Sequence, residues 1–396
     1  MPALSFDLQR VGDTLHALRD MVPISNDTVM VGADQLLKVE IDQAKGTLGI
    51  VLEEIDSPIR LGVDGYSSTM VDGDVYHFGG YLDPLSAEVE GEDSDSDDAP
   101  SATEGVWLND LHVYHPQTKE WHTVPKPAEG DTTTPWPSAR SEHIAFSLNG
   151  MLVIAGGEQK DSVQDNTWVY DPQAKEWSIV GDGDGEGAPL LTSKKDAVVF
   201  GNRAHVLTDD EHYTFHFLGG EGSGAEATLT EGDSESEREG PEGEDSTPGR
   251  YRGEWHILNI APEKLFHTGR PAEAMLNCNF RVGPYMMAVG PYAEPEAPEV
   301  APQLAGYDMG AGEWVSFGPL PKVVETTRAC VVAGVVVMDT EEGLYLADIV
   351  EGDDTKADGE TKGAKKGKKS KKSGKGPKKS KGGAVREGER PAKRRQ

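Results

Sequence analysis

Three histidines, His112, His115 and His122, fall close together in the sequence. They are the first place to look for a metal, because a neutral imidazole is the commonest protein metal ligand. In an extended hairpin, however, neighbouring side chains alternate between faces, so these three rings point in different directions and do not meet at one centre. The two thiols, Cys278 and Cys330, lie in apolar, strand-like stretches, where cysteine acts as a small buried hydrophobe. Two cysteines in 396 residues also exclude a disulfide framework and favour a reducing compartment. The chain contains no Gly-x-Ser-x-Gly, no phosphate-binding loop and no His-Glu-x-x-His. The expectation is a protein with no catalytic residue, metal or cofactor, whose function lies in binding.

Binding residues need a scaffold, and the scaffold announces itself as a repeat. Asn166-Thr167-Trp168-Val169-Tyr170-Asp171-Pro172-Gln173-Ala174-Lys175-Glu176-Trp177 is matched by Asn109-Asp110-Leu111-His112-Val113-Tyr114-His115-Pro116-Gln117-Thr118-Lys119-Glu120-Trp121. Gly306-Tyr307 through Glu313-Trp314 is a looser third copy. In each, the tyrosine precedes the tryptophan by seven residues. The aromatic and β-branched residues read as strand, and Asp-Pro-Gln-Ala-Lys reads as a turn: the aspartate bonds the backbone ahead of it and proline presets the bend. A second hairpin lies upstream, from Ala145 to Ala155 around Asn149-Gly150, and ends on Gly156-Gly157. Two such hairpins make one four-stranded sheet.

Strand, glycine pair, variable loop, strand with tyrosine, six residues and tryptophan together resemble the kelch repeat, one blade of a β-propeller. The match is full at Gly156, Gly157, Tyr170 and Trp177, and at Gly79, Gly80, Tyr114 and Trp121. It is partial at Tyr307/Trp314 and at Gly219-Gly220, where Asn259 and Phe266 keep the offset, and Ile41/Leu48 keep it with aliphatic residues. The resemblance covers about residues 25–350 and implies an all-β, six-bladed kelch-type propeller within residues 1–350. Blades are expected near 25–55, 60–125, 138–181, 190–267, 272–319 and 322–349. Trp255 to Leu258 is assigned to a middle strand of the fourth, and Trp136, flanked by prolines, to a loop. The sixth blade has only three strands of its own, so the segment from Leu4 to Val11 is expected to supply the fourth and close the ring. Kelch-like propellers include copper oxidases, sugar epimerases and plant specifier proteins. A radical-copper oxidase needs a tyrosine joined to a cysteine in a secreted protein, and this sequence offers neither the cysteine setting nor a signal peptide.

Pro137-Ser138-Ala139-Arg140-Ser141-Glu142-His143 resembles the kelch Pro-x-x-Arg-x-x-His lead-in to an innermost strand. The resemblance implies that Arg140 lies near the central opening. Equivalent lead-ins hold Arg60 and Tyr66, Lys194 and Lys195, and Arg328. With His143, these form a candidate site for an acidic peptide. The bland alternative is that Arg140 and His143 only tie neighbouring blades together.

The net charge of −31 hides a division. Of 38 Lys and Arg and 69 Asp and Glu, residues 356–396 hold 17 and four, which leaves 21 bases against 65 acids in the remainder. Two insertions concentrate the acids: residues 86–105 carry eight acids and no base, and residues 221–250 carry ten acids and two bases. Such composition cannot repay the entropy of ordering, so both are expected to be disordered. If each follows the second strand of its blade, both leave from one rim. Serines among the acids also resemble acidophilic kinase sites. The tail of residues 351–396 is expected to be disordered, and its clusters Lys365, Lys366, Lys368, Lys369, Lys371, Lys372 and Lys393, Arg394, Arg395 read as nuclear-localisation signals or as nonspecific nucleic-acid contacts. The longest apolar run, Ala329 to Met338, is too short to cross a bilayer. The resulting expectation is a protein-binding scaffold in the nucleus, or nucleus and cytoplasm, and not a secreted or membrane protein. The competing expectation is an acidic chaperone for basic clients such as ribosomal proteins or histones.

Overall fold

The structure is a computed structural model. It describes residues 4–13, 20–42, 47–59, 62–83, 105–160, 162–182, 188, 190, 196–208, 211–220, 251–258, 279–290, 303–319, 326–340 and 343–351. Those residues form strands and turns, with no helix among them. Consequently no helix among them is long and apolar enough to cross a membrane.

β1 (Leu4–Gly12) comes first in the chain. The first sheet is β2 (Met21–Pro23), β3 (Thr28–Val31), β4 (Gln35–Asp42) and β5 (Thr47–Glu54), paired in that order. After the short β6 (Val63–Asp64) come β7 (Ser67–Val71) and β8 (Asp74–Phe78). β9 (Tyr81–Leu82) and β10 (Val106–Trp107) pair beside β6, and β11 (Leu111–His115) and β12 (Glu120–Val124) complete the second sheet. The third is β13 (Ile144–Leu148), β14 (Met151–Ala155), β17 (Thr167–Asp171) and β18 (Glu176–Asp182), with the small hairpin of β15 (Glu158–Gln159) and β16 (Ser162–Val163) between its middle strands. The fourth is β19 (Ala197–Phe200), β20 (Arg203–Leu207), β21 (His212–Gly220) and β22 (Tyr251–Ile257). A short parallel pairing of Val180–Asp182 with Tyr251–Gly253 joins these last two meanders into one eight-stranded sheet. The fifth meander is β23 (Asn279–Val282), β24 (Tyr285–Gly290), β25 (Gln303–Asp308) and β26 (Glu313–Pro319). The last sheet is β27 (Thr326–Val332), β28 (Val335–Thr340) and β29 (Gly343–Glu351), with β1 antiparallel along its outer edge.

The seven-residue offset is now explained. Tyr114 lies directly opposite Trp121, Tyr170 opposite Trp177, Tyr307 opposite Trp314 and Ile41 opposite Leu48. The aromatic ring centroids of the first three pairs are 5.1, 5.2 and 5.6 Å apart. In the turns, Lys119, Lys175 and Gly312 take the left-handed backbone conformation and donate to the carbonyls of His115, Asp171 and Asp308. Asp171 Oδ1 accepts from the amides of Gln173 and Ala174, and Asp308 Oδ1 from those of Gly310 and Ala311. A four-residue turn held this way makes tyrosine and tryptophan face each other across the hairpin.

Successive meanders bury apolar clusters between them. Trp121 packs near Val22 and Met30 of the first sheet. Trp177 packs against Phe78 of the second, centroids 5.3 Å apart. Trp314 joins Val198 and Leu207 of the fourth. Met287 of the fifth packs with Val336 and Tyr345 of the last, and Val29 and Leu37 of the first pack with Val337 and Leu346 of the last. The first strands run beside one another in the cycle β2, β7, β13, β19, β23, β27 and back to β2.

Two sequence expectations need correction in the fourth meander. The stretch containing Trp255 is not a middle strand: it is β22, the outer strand, because the longer β21 upstream takes the third place. Gly219-Gly220 therefore closes a third strand, whereas Gly79-Gly80 and Gly156-Gly157 follow second strands. The acidic insertions thus leave from opposite ends of their meanders, since consecutive connections of an antiparallel sheet alternate ends. The expectation of a single acidic rim fails for this reason. Asn259, Phe266, Cys278, the insertions themselves and the tail lie outside the described residues.

Candidate functional site

The first strands of the meanders enclose a cavity of about 380 Å³. Residues in or next to β2, β7, β13, β19, β23 and β27 line it, most of them apolar. Its polar lining includes Ser67, Ser68, Thr69 and Ser147, and its charged lining is Asp20, Asp196, Arg281 and Arg328. Opposite charges on one small wall suit a zwitterionic or mixed-charge surface better than a purely acidic one. Arg328 is buried at this wall. Arg281 stands at the exposed rim: Nε donates to the Gly283 carbonyl at 2.9 Å, Nη1 donates to that of Val199 at 3.1 Å, and the guanidinium lies 5.1 Å from the centroid of the Phe200 ring. Cys330 also lines the cavity, but burial pushes its thiol up to about 12, so it offers no thiolate for nucleophilic work at neutral pH.

Arg140 and His143 do not project into the cavity mouth. Arg140 is 0% exposed and donates from Nη1 to the Gly156 carbonyl at 3.0 Å, from Nε to the Ser138 carbonyl at 3.2 Å and from Nη2 to Ser138 Oγ at 3.0 Å. Burial pushes its guanidinium down to about 10, which leaves it charged at neutral pH. His143, also 0% exposed, bonds Ser67 Oγ through Nε2 at 2.7 Å and thereby ties the lead-in of the third meander to the second.

The glycine pairs make room for this lead-in. Gly80 N donates to the Arg140 carbonyl, Arg140 N to Leu108 and Leu108 N to Gly80. A methyl on Gly79 would come within 2.6 Å of the Arg140 carbonyl, and one on Gly157 within 2.6 Å of the Ser141 carbonyl. The motif is a knot between meanders, the bland alternative weighed above. Tyr66 is half-buried, with its ring 5.9 Å from that of His77. Arg60, Lys194 and Lys195 lie outside the described residues. Of the described members of the proposed ring of partner-binding residues, only Arg328 lies on the cavity wall.

The clustered histidines of the sequence go separate ways. His112 bonds Thr123 Oγ1, His115 bonds Asp74 and His122 is exposed. The sequence reading missed a different group, His216, Glu254 and His256, brought together by the β21–β22 pairing. Its only sequence signal was the Glu-x-His alternation within a strand; the third member lies across a long insertion.

No family model matches the chain, and no curated protein matches it. Among solved structures, it is similar to one described as "Structure of YjhT", with a TM-score of 0.51 and 15% identity over 87% of this chain and 98% of that one. Likeness at that identity speaks to the fold alone.

Proposed function

We propose that this chain is a six-bladed propeller of kelch type that acts as a protein-binding scaffold, receiving its partner at the central cavity. The observation that carries this reading is the convergence of the six first strands on one cavity with both signs of charge on its wall. A rigid scaffold that aims many short connections at one opening is suited to recognition. The cavity's catalytic inventory is poor, since its thiol is held protonated and Arg281 already serves two carbonyls. The Lys-rich tail acts as the nuclear-targeting element.

The test is affinity capture by the full chain from cells, beside Arg281→Glu and Ser147→Trp variants shown by thermal melting to be folded. Recovery of the specific partners is expected to fall at least tenfold for the variants. Unchanged recovery would place recognition elsewhere. The acidic-chaperone reading draws on the excess of 65 acids over 21 bases outside the tail. It predicts instead the capture of many basic proteins, lost as salt rises and insensitive to both substitutions.

A further inference from the structure

The outer half of the fourth meander holds a group of ligand-type side chains that the scaffold reading does not use. His216 on β21 lies directly opposite Glu254 on β22, and His256 follows two residues later, so all three side chains share one face. One ligand-type atom from each lies within 4.8 Å of the others. His256 Nε2 and Glu254 Oε2 are 3.2 Å apart. Two ligands bound tetrahedrally to zinc at about 2.1 Å would be separated by about 3.4 Å, close to that spacing. The two imidazole rings stack, centroids 5.1 Å apart and planes 17° from parallel.

An ordinary ion pair accounts for His256 and Glu254 but not for His216, whose Nδ1 is shielded from solvent and has no hydrogen-bond partner among the described residues. A buried polar atom left this way is costly unless something satisfies it. Burial, Arg203 and His256 hold His216 below its ordinary range, so its ring is neutral and can offer a lone pair at neutral pH. We infer that His216, Glu254 and His256 form a binding site for a zinc-class divalent cation on the β21–β22 hairpin. Two imidazoles and one carboxylate suit Zn²⁺ and its Co²⁺ substitute, whereas Ca²⁺ and Mg²⁺ prefer all-oxygen sets. Three protein ligands leave a fourth position for water or a partner's side chain. Arg203, opposite His216 on β20, opposes the cation and limits its affinity.

The experiment is a Co²⁺ titration of the metal-stripped full chain, followed by visible absorption and then by Zn²⁺ displacement. One equivalent is expected to develop tetrahedral ligand-field bands that Zn²⁺ abolishes and Mg²⁺ leaves intact. His216→Asn and His256→Asn should each weaken binding at least tenfold, and Arg203→Ala should tighten it severalfold. Bands of equal intensity in a His216→Asn/His256→Asn double variant, or no bands in the parent at millimolar Co²⁺, would overturn the site. Should the variants misfold, diethylpyrocarbonate modification of the parent decides. Zn²⁺ is expected to protect His216 and His256 from the reagent, and equal labelling with and without Zn²⁺ would refute the proposal.

Discussion

The third and fourth meanders lie side by side in one eight-stranded sheet, yet only the third carries the full sequence repeat. In the third, a four-residue turn joins β17 to β18 and sets Tyr170 against Trp177, which seals the gap to the second sheet. In the fourth, residues 221–250 replace that turn, and no tyrosine–tryptophan offset survives. The tryptophan survives all the same. Trp255 on the outer strand lies opposite Phe215, packs on Phe146 of the third meander and donates its indole N–H to Thr167 Oγ1 at 2.9 Å. Gly253 lets the Phe215 ring approach, since a methyl there would come within 2.5 Å of it. The packing role belongs to the outer strand, and the repeat is what that role looks like when the turn is short.

This comparison predicts that Trp177→Ala and Trp255→Ala cost alike. Each empties a buried ring site and should lower stability by about 3–5 kcal/mol in chemical denaturation. A large effect for Trp177 beside a negligible one for Trp255 would break the equivalence.

The fourth meander should also be the more acid-sensitive. His205 Nδ1 lies 3.1 Å from His212 Nε2, both rings are buried, and burial together with Arg203 pushes His205 down to about 4 from 6.5. Because the unfolded chain takes up this proton more readily, its contribution is complete above about 6.5 and is lost as pH falls toward 4. It amounts to about 3 kcal/mol at the lower limit. Denaturation midpoints of the parent and of His205→Phe should therefore converge or cross between pH 7 and pH 4.5; parallel curves would remove His205 as the cause.

The smallest contrast is between glycines. Gly157 has φ +90° and a backbone carbonyl in the way of any Cβ, whereas Gly201, at φ +61° in the β19–β20 turn, has open space around it. Alanine should cost about 2–4 kcal/mol at Gly157 and about 1 at Gly201. Thermal melting of the two variants would show whether the lead-in knot needs its glycines.

What was legible in the sequence follows the same division. Wherever a hairpin turn is four residues long, as at Tyr114–Trp121, spacing alone placed both strands, and the shortage of strands at the carboxyl-terminal sheet correctly assigned Leu4–Val11 to its edge. Register in the fourth meander was illegible, because an insertion of any length erases the offset that encodes pairing. Site chemistry was harder. Arg140 stood as a binding candidate from its place in the Pro-x-x-Arg-x-x-His lead-in, but the Gly156 carbonyl and Ser138 decide its role, contacts that the motif does not encode. Trp136 is the loop residue between prolines that the sequence suggested, yet its indole N–H donates to the Asn109 carbonyl and its ring packs edge-on to Trp177, contacts the loop setting does not encode.

All of this depends on β1 completing the last sheet and so closing the cycle of first strands around the cavity. Hydrogen exchange of the Leu4–Gly12 amides in the full chain, read by mass spectrometry, tests that closure most directly. The account predicts that the amides paired to β29 exchange as slowly as those of β29 itself; exchange at the rate of an unstructured peptide would contradict it.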